Sequence, residues 1–168
     1  MKRLLRILKH RWLDETDTRR ALGPGALARI EARVAASEKR HSGEIRICVE
    51  AGLPLSYLWR NATPRERAIT MFGKLRVWDT EHNSGVLIYL LLAEHAIEIV
   101  ADRGLNRHVS EAQWRELLQG MAAQFKAGHF EEGLAATVDA VSALLNRHFA
   151  VDADLPNPNE LPNRPHLG

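Results

Sequence analysis

Gly85-Val86-Leu87-Ile88-Tyr89-Leu90-Leu91-Leu92-Ala93-Glu94-His95-Ala96-Ile97-Glu98-Ile99-Val100 holds two apolar runs separated by Glu94-His95. The first, continuous from Val86 to Ala93, has the length of a strand and no polar face, so it reads as a strand buried on both sides. The second follows too closely for a parallel crossover, and the pair therefore forms an antiparallel hairpin. Upstream, Glu44-Ile45-Arg46-Ile47-Cys48-Val49-Glu50 alternates strictly and places Ile45, Ile47 and Val49 on one face of a third strand, with Cys48 on the other.

Helical patterns surround these strands. After Gly23-Pro24-Gly25, Leu27, Ile30 and Val34 mark one face of a helix expected to end near His41, before Gly43. Thr63-Pro64-Arg65-Glu66 is a capping box with proline at the first helical position, leading into Ala68, Ile69, Phe72 and Leu75. Ser110-Glu111-Ala112-Gln113 is a second box, opening a helix with the stripe Trp114, Leu117, Leu118, Met121 and Phe125, stopped by Gly128. Leu134, Val138, Val141 and Leu145 extend a last helix to about His148. This order predicts an α/β fold, a three-layer α/β/α sandwich around a mixed sheet.

The 168 residues, 45% hydrophobic and 26% charged, suit one domain with a single core. A net charge of +2 argues against a nucleic-acid partner, and the lone Cys48, placed mid-strand, against a disulfide or a cysteine metal cluster. The longest apolar run is far shorter than the roughly 20 residues of a membrane-crossing helix. Residues 1–20 form a basic segment with seven Lys or Arg and three Asp or Glu. Arg6 and Lys9 interrupt any signal-peptide core, so the expected location is cytoplasmic, peripheral at the inner membrane face. Leu4, Leu5, Leu8 and Trp12 recur at helical spacing among Lys2, Arg3, Arg6, Lys9 and Arg11. That pattern fits either a helix packed on the domain or one lying on an anionic membrane, and Lys2, Arg3, Arg6, Lys9, Arg11 and Trp12 are its candidate membrane or partner contacts. A polar connector over 14–20 precedes the domain of residues 21–150, and residues 151–168, with four of the seven prolines, read as an extended Pro/Asn-rich tail outside any core.

His41-Ser42-Gly43-Glu44-Ile45-Arg46, Asn83-Ser84-Gly85-Val86-Leu87-Ile88-Tyr89 and Ile97-Glu98-Ile99-Val100-Ala101-Asp102-Arg103-Gly104-Leu105 together resemble the TPM domain, the thylakoid-lumen-phosphatase-like family, over residues 27–149. Phe125-x-x-Gly128-x-Phe130-x-x-Gly133-Leu134 resembles the family's pattern before its last helix, and Asn159-Glu160-Leu161-Pro162 matches the tail of a small, signal-less bacterial branch. The resemblance implies an α/β sandwich. It implies one of several roles: acid phosphatase, binder of divalent cations such as calcium, or accessory protein at membranes. Where the family reads Asp-Asn-Gly this chain has Asn83-Ser84-Gly85, and Asn106 replaces a family Glu.

With the three strands adjacent, the loop 79–84 and the turn 102–104 approach at one sheet edge. Asp79, Thr80, Asn83, Ser84, Asp102 and Arg103 then form the candidate pocket, and Asp79, Asn83, Asp102 and Asn106 the candidate oxygen ligands for calcium or magnesium. The alternative has Asp102 pairing with an arginine or capping the turn, and Asn83 fixing the loop through its backbone. Asp152-Ala153-Asp154 resembles a nucleophile motif but lacks a strand to aim it, and Trp78 and Trp114 line a pocket or pack in the core. The expected function is a non-catalytic accessory domain that recognises an unidentified protein partner at the membrane surface. The competing expectation is a divalent-cation-assisted acid phosphatase.

Overall fold

The computed structural model describes residues 2–151 and 157–168; the Asp152-Ala153-Asp154 motif lies outside them. Three strands, β1 (Ile45–Glu50), β2 (Val86–Leu91) and β3 (Ala96–Ala101), are joined by a fourth, β4 (His166–Leu167), in the order β3-β2-β1-β4. β2 and β3 pair antiparallel with Leu91 opposite Ala96, as the short Glu94-His95 spacing requires. His95 closes the turn in the left-handed region, at φ 50°. β1 runs parallel to both β2 and β4, so the sheet is mixed.

Eight helices flank the sheet among the described residues: α1 (Lys2–Arg11), α2 (Glu15–Leu22), α3 (Ala26–Glu38), α4 (Leu55–Trp59), α5 (Pro64–Lys74), α6 (Arg103–Asn106), α7 (Glu111–Lys126) and α8 (Phe130–Phe149). Ile45, Ile47 and Val49 of β1 and Val86, Ile88 and Leu90 of β2 face a core filled from α3, α7 and α8. Cys48, Leu87, Tyr89 and Leu91 face a second core filled by Leu58 of α4, Ala68 and Met71 of α5, and Leu161. Every residue of β1 and β2 is buried, because helices cover both faces of the sheet. The three-layer sandwich is thus the observed architecture.

Three local expectations change. The connector over 14–20 is helical: Asp14 caps α2, accepting from the amides of Thr16 and Asp17, while the Asp17 carboxylate takes the Asp14 amide. Aspartate in place of glutamate closes the same reciprocal box. α3 stops at Glu38, short of His41, because the next turn folds inward and His41 is fully buried, bonded to Gly43 O and Ser142 Oγ. Residues 157–168 of the tail are part of the core rather than outside it: Leu161 is buried and β4 pairs with β1.

Candidate functional site

The loop before β2 and the turn after β3 meet through backbone geometry that only small residues permit. A Cβ on Gly85 would sit 1.9 Å from Val77 O, and one on Gly104 2.4 Å from Asn83 O. That close approach lets the Gly104 amide donate to Asn83 O at 2.9 Å and the Asp102 amide to Gly85 O at 2.9 Å. Asp102 caps the short α6, its Oδ1 accepting from the Arg103 amide at 2.7 Å, while Arg103 Nε donates to Asn83 Oδ1 at 2.9 Å. Asn106 Nδ2 donates to Ala101 O at 2.7 Å.

Asn83, Asp102, Arg103 and Asn106 are therefore brought together, and Asp102 and Asn83 hold the turn and the loop in place. Thr80 Oγ1 accepts from the Ser84 amide and Ser84 Oγ donates to Ser42 O, which folds the loop back on itself. Asp79 pairs instead with Arg76 at 3.1 Å. The second Asp102 carboxyl oxygen, Oδ2, is buried without a partner. A hard cation needs six to eight oxygens. Here Asn83 Oδ1 is occupied by a guanidinium, and among the described residues no group of three or more His, Cys, Asp or Glu is disposed to hold a metal ion.

A second surface is built by α1. Arg6 and His10 turn inward: Arg6 donates to Glu94 Oε1 at 2.7 Å, to Asn61 Oδ1 at 3.0 Å and to Ala62 O at 2.7 Å. His10 Nδ1 accepts the Leu53 amide at 2.9 Å, so the neutral ring carries its proton on Nε2 and gives it to Glu94 Oε1, also at 2.9 Å. Burial holds the His10 pKa below its ordinary value against the opposing pull of Glu94. Arg6, expected among the outward contacts, is a docking residue, since Glu94 and two further acceptors capture it.

With the polar side spent on docking, the apolar side faces out. Leu4, Leu5, Leu8 and Trp12 are exposed, Trp12 to 83%, beside exposed Leu55 and Trp59 of α4. At about 100° per residue they span an arc of roughly 100°, with exposed Lys9 on one flank and exposed Arg11 on the other. Arg3 stacks over the Trp59 ring at 5.7 Å.

One charged cluster escaped the sequence reading. Glu50 on β1 takes Arg67 Nε at 2.8 Å, Arg67 Nη2 at 2.5 Å and the Tyr89 hydroxyl at 2.7 Å, all buried. Arg67 also lies 5.1 Å from the Tyr57 ring. The available signal was the charged alternate face of the Glu44–Glu50 run, Glu44, Arg46 and Glu50, whose last six residues form β1. Such a face has to be covered and paired. Cys48, between them, is an inert thiol whose pKa burial pushes up.

The sequence profile of the TPM domain matches residues 16–144, most of the chain. The chain belongs to the TPM domain family. Its TPM domain is similar to the BA42 protein of the psychrophilic bacterium Bizionia argentinensis, with 29% identity, a TM-score of 0.73, and coverage of 85% of this chain and 92% of that one. It shares its fold with the N-terminal domain of a P. gingivalis protein, at 18% identity, a TM-score of 0.63, and coverage of 78% and 83%. None of the curated proteins matches the sequence. Among the described residues no helix is long and apolar enough to cross a membrane. α1 and the strap of residues 157–168 lie outside the matched span of the TPM domain.

Proposed function

We propose that this TPM domain is a non-catalytic accessory module that attaches peripherally to an anionic membrane, at its cytoplasmic face, and holds a protein partner there. The observation that carries the reading is the orientation of α1: docked by Arg6 and His10, with Leu4, Leu5, Leu8 and Trp12 outward between Lys9 and Arg11. Fully burying a large apolar side chain contributes about 1.5–3 kcal/mol. Each cation near an anionic surface adds about 1 kcal/mol. Half-burial of the four side chains with Lys9 and Arg11 thus supports reversible binding.

Co-sedimentation with vesicles of phosphatidylcholine alone, and with added phosphatidylserine, tests this. Binding is expected only with phosphatidylserine, weakening at high salt, and lost in a Leu8→Glu, Trp12→Glu variant that melts with the wild type. Wild-type protein remaining in the supernatant at low salt would overturn the reading. The competing reading, a divalent-cation-assisted acid phosphatase, draws on the unpartnered Asp102 Oδ2 beside Arg103. Turnover of a phosphomonoester that is lost in Asp102→Ala would favour it.

A further inference from the structure

α4 presents an apolar side of its own beside α1. Leu55 is 45% exposed and Trp59, one turn on, 62%, while Leu58 between them is buried. Four residues apart on a helix, Leu55 and Trp59 share one side. α1 is fastened to the exit of α4, where Arg6 donates to Asn61 Oδ1 and to Ala62 O. At its other end the His10 carbonyl fits against Gly52, where a Cβ would lie 2.5 Å from the oxygen. Arg3 spans the two outer surfaces, its guanidinium 5.7 Å from the centre of the Trp59 ring. The apolar sides of α1 and α4 are thus held as neighbours in a fixed relation.

This patch carries cations without carboxylates of its own. α1 has no Asp or Glu, and α4 no charged residue at all. Of the acids nearby, Glu94 is paired with Arg6 at 2.7 Å and Glu66 with Arg60 at 2.7 Å. A second copy seated here across a two-fold axis would set Lys9 and Arg11 against their own equivalents. An anionic lipid surface takes the same cations on its phosphates and receives the leucines beneath them, and tryptophan favours that boundary. The patch also has a definite place in the fold. Leu53 follows β1 and Glu94 follows β2, so their bonds to His10 put α1 at the end of the sheet where Glu50 pairs with Leu91. Asn83, Asp102 and Arg103 lie at the opposite end, where Val86 pairs with Ala101. At about 3.3 Å per residue, the six residues of β2 separate the two ends by roughly 17 Å.

Resting on the membrane attachment proposed for α1, we propose that α4 is a second lipid-inserting element: Leu55 and Trp59 enter the same anionic bilayer surface, and the two helices together seat the domain with its Asn83–Asp102 end off the membrane. A single helix lying on a bilayer leaves the domain free to roll about the helix axis. A second line of contact through Leu55 and Trp59 stops that roll. The far end of β2 is then the side left open to a protein partner.

Full-length Leu55→Cys and Trp78→Cys variants, each labelled with an environment-sensitive fluorophore and mixed with phosphatidylcholine vesicles containing phosphatidylserine, test this. Cys48 is fully buried and stays unlabelled. Trp78 is the control, 49% exposed and next to Val77, whose carbonyl packs on Gly85 at the far end of β2. The label at position 55 is expected to shift to the blue on adding vesicles, and the label at 78 to stay unchanged. A Leu55→Glu, Trp59→Glu variant with α1 intact is expected to bind these vesicles at least about tenfold more weakly, since two half-buried apolar side chains are lost. Wild-type binding accompanied by an unshifted label at 55, or by an unweakened double variant, overturns the inference and leaves the attachment of α1 standing. An equal blue shift at 78 overturns the seating. Absence of wild-type binding overturns both readings together. A dimer in vesicle-free solution that the double variant separates assigns the patch to a second copy and overturns the lipid contact of α4.

Discussion

Arg67 sits in α5 beside buried Ala68 and Met71, and nothing in that helical stripe marks it as an interior residue. Only Glu50, on a different element, makes its burial tolerable, and each of the two neutralises the other in a site closed by Tyr89. Removing one member of a buried pair leaves an uncompensated charge, so Arg67→Ala is expected to destabilise the domain by about 3–5 kcal/mol in urea titrations. Tyr89→Phe, which removes one hydrogen bond, is expected to lose about 1 kcal/mol. Asp102 is a different case, because its Oδ1 is a helix cap and its Oδ2 is buried without a partner. Asp102→Ala should lower stability by about 1 kcal/mol through the lost cap. On the accessory-module reading, thermal melts of the wild type in EDTA, calcium or magnesium coincide. A cation-dependent rise that vanishes in Asp102→Ala would instead put the phosphatase reading ahead.

At the scale of an element, α1 carries the membrane reading and also a built-in weakness. Its attachment depends on neutral His10, whose Nδ1 accepts the Leu53 amide. Protonation replaces that acceptor with a second donor, and the depressed His10 pKa states the same fact energetically. The unfolded ring takes up its proton near pH 6.5 while the docked ring resists it, so docking strength is full above that pH and is lost as pH falls through the lowered value. Exchange protection of the Leu53 amide is therefore expected to drop on acidification while β2 amides remain protected; an unchanged Leu53 amide at pH 5 would count against this. The helix itself was legible from the spacing of its leucines. Which side it would bury was not, because Glu94 and Asn61 lie more than fifty residues away along the chain.

Across the whole molecule, two groups are displaced by burial toward neutrality from opposite sides within the ordinary pH range: His41, down to about 4, and Glu38, up to about 8. His41 favours the folded state more and more as pH rises from about 4 to 6.5, whereas Glu38 disfavours it progressively from its ordinary 4.5 up to about 8. From these two groups the slopes cancel between about 4.5 and 6.5, and only the fall due to Glu38 remains above that. Denaturant titrations should thus show stability level to pH 6.5 and lower by about 2 kcal/mol at pH 8, with Glu38→Gln removing the fall. The sandwich and its site were unevenly legible beforehand. Continuous apolar runs, capping boxes and a short hairpin spacing are local signals, so the amino-acid sequence by itself determined the three long strands, the major helices and the antiparallel β2–β3 pair. The meeting of Asn83 with Asp102 and Arg103 also followed once those strands were adjacent. What the tertiary structure alone decided is the long-range polar pairing: Glu50 with Arg67, Glu44 and Arg46 with the strap, and α1 with its leucines outward. The physical reason is that a period identifies which residues share a face, while the worth of burying a charge depends on a partner that the fold brings from elsewhere in the chain.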